Sequence, residues 1–213
     1  MHNTFCGWHY YWAIYWFGIR GRGNVASTKK EVAGVQSNQD KDGGLGQGEP
    51  HEEGFPPSVD YYRTAATYPR VIRIAKHKIE ARVLALAIAP SGALKAPGNI
   101  FDGGWYRDSA RPGEPGAMVV DGHVYGPTKP AVFKKLNTLV AGDQIEIERG
   151  DGKRFVYTVQ ASELVDADKV DMSKVMVPYV AGKPGLNVIT CGGKFDIING
   201  KYPQRTVVYA VME

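Results

Sequence analysis

The sequence predicts a mainly β domain, a closed or nearly closed barrel of seven or eight short strands with few helices, and three observations point there. Short apolar runs recur from about Tyr61 to Glu213, with Gly/Pro/Asp clusters between them. Two of these runs, QIEIE and RFVYTVQ, alternate apolar and polar side chains, as strands with one buried face do. A single stretch carries helical spacing. Gly 26 and Pro 13 supply many turns, and short strands joined by turns remove their unpaired edges by closing on themselves.

The apolar runs are Val71–Ile74, Ala81–Ala89, Ala117–Val120, Gln144–Glu148, Arg154–Gln160, Leu186–Thr190 and Thr206–Met212. Between the fourth and fifth, RGDGKR supplies a hairpin turn. Pro130–Leu139 is the expected helix: Val132, Phe133, Leu136 and Leu139 share one face, and Pro130 suits a first turn. No internal repeat or sustained heptad is present.

Two segments precede this domain, which is expected over 61–213. Residues 1–20 contain the uncharged, aromatic-rich stretch FCGWHYYWAIYWFGI (Phe5–Ile19). As a helix it would extend about 22 Å, short of the roughly 30 Å hydrocarbon core of a bilayer. Trp8, Trp12 and Trp16 would share one face, and such rings favour the membrane–water interface. Arg20 and Arg22 follow the segment, whereas a signal peptide carries its charge first. Three readings stay open: a short or truncated membrane anchor, an interfacial helix, or a mis-assigned start or non-native extension. Residues 21–60, with runs such as SNQDKDGGLGQGEP, are too poor in apolar residues to offset chain entropy and read as a flexible linker.

Bulk properties exclude some function classes. Apolar residues make up 43% and charged residues 23%, ordinary for a globular chain. The net charge of +4 is diffuse, and no Lys/Arg run reaches nucleic-acid-patch length, so no nucleic-acid partner is expected. The two cysteines, Cys6 and Cys191, lie in unlike settings and are not expected to pair. No Cys/His cluster has zinc spacing. Asp166, Asp168 and Asp171 match no EF-hand spacing and read as a solvated acidic loop. Neither a metal nor another cofactor is expected.

Three residues carry chemistry. Cys191 ends the apolar strand LNVIT and is followed by Gly192 and Gly193, which allow close approach of backbone or substrate. His123 follows MVVDG, where another apolar strand runs into a glycine. Arg205 opens the last strand, RTVVYAVM. Singly, each has a plain structural reading: a last buried strand residue, a surface loop histidine, a solvated strand cap. Together they place a thiol, an imidazole and a guanidinium at strand ends of one small β domain. A thiolate nucleophile needs a nearby cation to lower its pKa. A histidine can supply that charge and then protonate a departing amine, and an arginine can hold a developing oxyanion.

These motifs, in order, resemble the sortases, membrane-anchored cysteine transpeptidases of mainly Gram-positive bacteria. The resemblance covers nearly all of Pro69–Met212. PRVIRI and KIEARV resemble the family's first two strands, and GGWYRDSARPGEPGAMVVDGHV resembles the stretch leading to its histidine. VITCGG resembles the T-L-T-C box, with Ile189 in the Leu place and Val188 where the first Thr would stand, and PQRTVVYA resembles the arginine strand. The cysteine follows the histidine by about 70 residues and the arginine follows about 14 later. Within the family, the GWY–PGE–GH stretch and the CGGKFD continuation look most like class F, common in actinobacteria.

The resemblance implies a closed eight-stranded sortase-like barrel with one or two short helices. It implies Cys191 as nucleophile, His123 as proton donor, and Arg205 with Thr190 supporting the oxyanion or substrate backbone. Ile189, Val177 and Val180 are weaker groove candidates, in or beside the loop Val165–Lys183. The implied substrate is an LPXTG-like sorting signal of surface proteins, cut between Thr and Gly. The implied acceptor is a peptidoglycan-precursor amine, and the implied site of action is the extracytoplasmic face of a Gram-positive, actinobacterial cell membrane, with membrane contact through the N-terminus. The rival readings are a sortase-fold hydrolase, a pilin polymerase and a non-catalytic surface β-barrel. Linker 21–60 lacks an Asp-Pro-aromatic lid signature, its nearest match being Phe55-Pro56-Pro57, which favours general anchoring over polymerisation.

Overall fold

The computed structural model describes residue 52, residues 54–87 and residues 95–213. The aromatic segment and most of the linker lie outside them, as do residues 88–89 of the expected second strand. Among the described residues, no helix is long and apolar enough to cross a membrane.

Eight strands form the domain: β1 (Pro69–Ile74), β2 (Ile79–Leu86), β3 (Gly103–Tyr106), β4 (Gly116–Gly122), β5 (Gln144–Arg149), β6 (Arg154–Asp166), β7 (Pro184–Gly192) and β8 (Gln204–Met212). They close in the order β1-β2-β3-β4-β7-β8-β6-β5, so no strand is left at an edge. The β2–β3 and β4–β7 pairs are parallel and the rest antiparallel. One helix of four residues, α1 (Met172–Val175), lies in the β6–β7 connection, its start capped by Asp171 accepting from the Ser173 N–H.

Side-chain alternation builds this closure. Along QIEIE, Ile145 and Ile147 are fully buried, and they join Ile72, Trp105, Val120, Tyr157 and Val188 inside the barrel. Glu146 and Glu148 point the other way, but Glu148 is still 5% exposed, because Arg70 and Arg73 close over it, the latter with Nη1 at 2.7 Å from Oε2. Burial alone would raise the Glu148 carboxyl, but the two guanidinium groups outweigh it and hold its pKa below the usual value. The RGDGKR segment turns as expected: the Arg149 N–H donates to the Lys153 carbonyl, and Glu148 pairs with Arg154. A register shift between Val159 and Ala161 bends β6, letting one strand serve both β5 and β8.

Two sequence expectations need correction. Strand β3, GGWY, has no alternating pattern to mark it; it forms by pairing with β2 and β4. The expected helix over Pro130–Leu139 is instead a run of turns ending in a 3-10 turn at Leu136–Thr138. Its carbonyls accept from three residues on, as in Leu136 N–H to Phe133 O and Leu139 N–H to Leu136 O. Tertiary contacts account for this, because Val132 N–H donates to Ile100 O and Phe133 N–H to His123 O. The apolar face survives the change: Phe133, Leu136 and Leu139 are buried in the barrel core.

The described end of the 21–60 segment touches the domain. Val59 is buried, and its carbonyl accepts from Arg70 Nη1 at 2.6 Å. Glu52 accepts from Thr128 Oγ1 at 2.7 Å and from the Lys129 N–H at 2.9 Å.

Candidate active site

Strand register brings the three chemistry-bearing residues into one row. The parallel β4–β7 ladder ends with Gly122 beside Thr190, so the next residues, His123 and Cys191, are neighbours at the same level. Across the antiparallel β7–β8 ladder, Cys191 stands opposite Arg205. An imidazole, a thiol and a guanidinium thus come from three adjacent strands. The excursion through β5 and β6 separates His123 from Cys191 in sequence, and the parallel pairing brings their strand ends side by side.

The row lies on the outer face of the barrel. Met118, Val120, Leu186, Val188, Val208 and Ala210 point inward. Their alternates Val119, Ile189, Val207 and Tyr209 form a second apolar cluster on the other face, covered by Val175 of α1. Cys191 and Arg205 continue that outer set, since residues two apart share a face. Cys191 is half-buried. Arg205 is 5% exposed, and its Nη1 donates to the carbonyls of Gln204 at 2.7 Å and Tyr202 at 3.2 Å. Gly193, just beyond the thiol, has φ 78, a left-handed conformation that suits glycine.

Thr190 faces inward. Its Oγ1 donates to the Gly122 carbonyl at 2.7 Å, which fastens β4 to β7 one residue before His123 and Cys191. Its hydroxyl is therefore a tie between strands rather than a group open to the outer face. Ile189, 7% exposed, forms part of the outer apolar floor, while Val177 and Val180 are exposed in the β6–β7 loop. Ile189 lies on the outer face two residues before Cys191, and the loop of Val177 and Val180 is held over the stretch of β7 around Asn187, four residues before Cys191. Asn187 does the holding: its Nδ2 donates to the carbonyls of Val175 at 2.7 Å and Val177 at 2.9 Å. Asn187 was not singled out in the sequence, though a fully buried amide inside an otherwise apolar strand is a readable signal. In the acidic loop, Asp166 pairs with Lys169 at 2.8 Å and Asp171 caps α1, so two of its carboxylates have separate partners.

The imidazole of His123 is half-buried, with Nε2 2.8 Å from the Pro97 carbonyl. A carbonyl only accepts, so Nε2 carries the hydrogen, and in the neutral ring Nδ1 is the bare base. Burial pushes the His123 pKa below its ordinary value of 6.5, and the Pro97 carbonyl opposes this only in part. Below about pH 6.5 the unfolded chain therefore binds a proton that the folded chain does not, so this residue removes stability as pH falls, until its folded pKa is passed. Urea unfolding across this window should show wild-type stability declining relative to His123→Gln as pH drops. Parallel pH curves for the two proteins would contradict the burial effect.

Residues 72–213 match the family model of the sortase domain. Over 106 residues the chain is 31% identical to sortase D of Bacillus subtilis (strain 168), a match covering 50% of this chain and 48% of that protein. The chain thus spans about half the length of the curated relative it matches. Among solved structures it is similar to sortase C1 from Streptococcus agalactiae, with TM-score 0.52 and 19% identity over 68% of this chain and 66% of that one. It is also similar to the Pilus Island 1 sortase C2 of group B Streptococcus, with TM-score 0.52 and 18% identity over 71% and 76%. At such identities these two likenesses speak for the fold: a mainly β, closed eight-stranded barrel.

Proposed function

Because the chain belongs to the sortase family, we propose that it is a cysteine transpeptidase whose nucleophile is Cys191. The observation that carries this reading is the row His123–Cys191–Arg205 across β4, β7 and β8. The Cys191 thiolate attacks the carbonyl between Thr and Gly of an LPXTG-like sorting signal. Arg205, held by two backbone carbonyls at the opposite position on β8, stabilises the oxyanion or the substrate backbone. The nitrogen that Pro97 leaves open, Nδ1, takes the proton of the Cys191 thiol and hands it to the departing amine. A peptidoglycan-precursor amine, or water, then attacks the thioacyl carbon and frees the enzyme.

Thr190 supports the substrate indirectly, by fixing the level at which β4 and β7 present His123 and Cys191. Ile189 and the loop bearing Val177 and Val180 supply the apolar wall for the Leu-Pro part of the signal. The GWY–PGE–GH stretch and the CGGKFD continuation favour class F. Action at the extracytoplasmic face of an actinobacterial membrane, with residues 1–20 as anchor or interfacial segment and 21–60 as tether, completes the reading.

A sorting-peptide library, screened for cleavage with and without added amines, tests it. Cleavage between Thr and Gly, with amine-dependent transfer, is the expected result. Cleavage with water as the sole acceptor would favour the hydrolase instead, and no cleavage of any sorting peptide would leave the non-catalytic barrel.

A further inference from the structure

The connection from β7 to β8, residues 193–203, contains a small hairpin that no step of the proposed reaction uses. Asp196 and Lys201 pair antiparallel: the Asp196 N–H donates to the Lys201 carbonyl at 2.9 Å, and the Lys201 N–H to the Asp196 carbonyl at 3.2 Å. Within the turn, the Asp196 carboxylate accepts from the Ile198 and Asn199 N–H groups at 2.9 and 3.1 Å and from Asn199 Nδ2 at 2.6 Å. These bonds hold the tip in one shape, and that shape turns two adjacent isoleucines outward. Ile197 is 85% exposed and Ile198 94%.

Polarity changes in layers behind this tip. Lys201 and Lys194, both exposed, follow along the two arms. Between their levels lies an aromatic pair, Phe195 and Tyr202, with ring centroids 5.0 Å apart. Asp196 is the one acidic residue of 193–203, and its oxygens are turned onto the amides of the turn, which leaves the lysines as the outward charges. Where Ala167 N–H donates to the Pro203 carbonyl, at the base of the hairpin, Asp166 is paired with Lys169 at 2.8 Å. Aliphatic side chains outermost, then cations with amphipathic rings, is the order in which a lipid surface changes from acyl chains to phosphates. Protein interfaces are depleted of lysine and anchor on aromatic and arginine side chains, which this tip does not offer.

We propose that the hairpin tip is a docking site for an anionic lipid surface, with Ile197 and Ile198 entering the acyl boundary while Lys194 and Lys201 lie against the phosphates. Each isoleucine contributes at least about tenfold to partitioning, and each lysine about fivefold. Contact of this strength is reversible, so it orients the domain rather than anchoring it. Cys191 is six residues before Ile197, which keeps the catalytic row within about 20 Å of the lipid. The value of that placement to the chemistry rests on the transpeptidase reading above; the docking does not.

Residues 1–20 are a separate candidate for lipid contact, so the test reads single residues rather than bulk binding. The full chain, labelled with 15N, is titrated with bicelles that carry a nitroxide-labelled lipid, made of phosphatidylcholine with or without phosphatidylglycerol. The amides of Ile197 and Ile198 should broaden most, those of Lys194 and Lys201 less, and those of Ile145 and Tyr157 inside the barrel not at all. Phosphatidylglycerol should lower the lipid concentration needed by at least about tenfold. Replacing both Ile197→Ser and Ile198→Ser should weaken the contact about a hundredfold, and Lys194→Gln with Lys201→Gln should remove most of the advantage of phosphatidylglycerol. All four side chains are exposed, so circular dichroism should show both variants melting as wild type does. Absence of tip broadening in either bicelle, or equal broadening with and without phosphatidylglycerol, overturns the proposal. Broadening of the same amides on raising protein concentration without lipid assigns the tip to a second copy of the chain and overturns it as well. No sorting peptide enters these measurements, so failure of the transpeptidase reading leaves their outcome unchanged.

Discussion

Cys191→Ala is expected to lower cleavage of a sorting peptide by at least about a thousandfold, because no other group in the row can form the covalent intermediate. The thiol sits at the end of β7 between the ends of β4 and β8, so the substitution removes the reacting atom and leaves the ladders intact. His123→Ala and Arg205→Ala should each reduce the rate by about a hundredfold or more, as proton transfer and oxyanion support are lost separately. A fluorogenic peptide assay gives the rates, and intact mass with a slow substrate shows the thioacyl adduct on wild type and its absence from Cys191→Ala. The same thiol should react selectively with an alkylating reagent near neutral pH. Wild-type cleavage by Cys191→Ala, or a thiol inert to alkylation, would end the assignment of the nucleophile.

The second large effect is structural and lies behind His123. Phe133 is 0% exposed, fills part of the barrel core, and its N–H donates to the His123 carbonyl. Phe133→Ala should cost about 3–5 kcal/mol, the usual range for removing a buried ring. For a domain of this size that lowers Tm by roughly 10 °C. The loss also releases the turn that backs His123, so kcat should fall further than the change in folded fraction explains. Val132→Ala, at a half-buried neighbour, should have a clearly smaller effect on both. Calorimetry with kcat measured well below the transition separates the two contributions. An unchanged kcat in Phe133→Ala would detach the turn from the chemistry.

What could be read from the sequence depended on how local each feature is. Ile145 and Ile147 announce an inward face because their spacing is complete within five residues, and the RGDGKR turn is equally self-contained. The buried face of Phe133, Leu136 and Leu139 was visible too. Its helical geometry did not follow, because the N–H groups of Val132 and Phe133 bond to Ile100 and His123, partners distant in the chain. Strand β3 escaped notice for the same reason: GGWY becomes a strand through β2 and β4. The ends LNVITC and RTVVYAVM pointed to Cys191 and Arg205 as strand-end residues, but their alignment with His123 in one row depends on the parallel β4–β7 register, which no local pattern encodes. Asn187 acquires its role from that same register.

The two faces of the β4–β7–β8 sheet carry two separately packed apolar layers. Met118, Val188 and Val208 fill the barrel interior, whereas Val119, Ile189 and Val207, each one position away, are buried in a second cluster with Val175 of α1. Both sets of codons therefore answer to packing, and a change at Val119 or Val207 empties a filled space just as one at Val120 or Val208 does. For an engineer, a mutagenic library aimed at recognition belongs at exposed positions such as Val177 and Val180, where substitutions spare both layers.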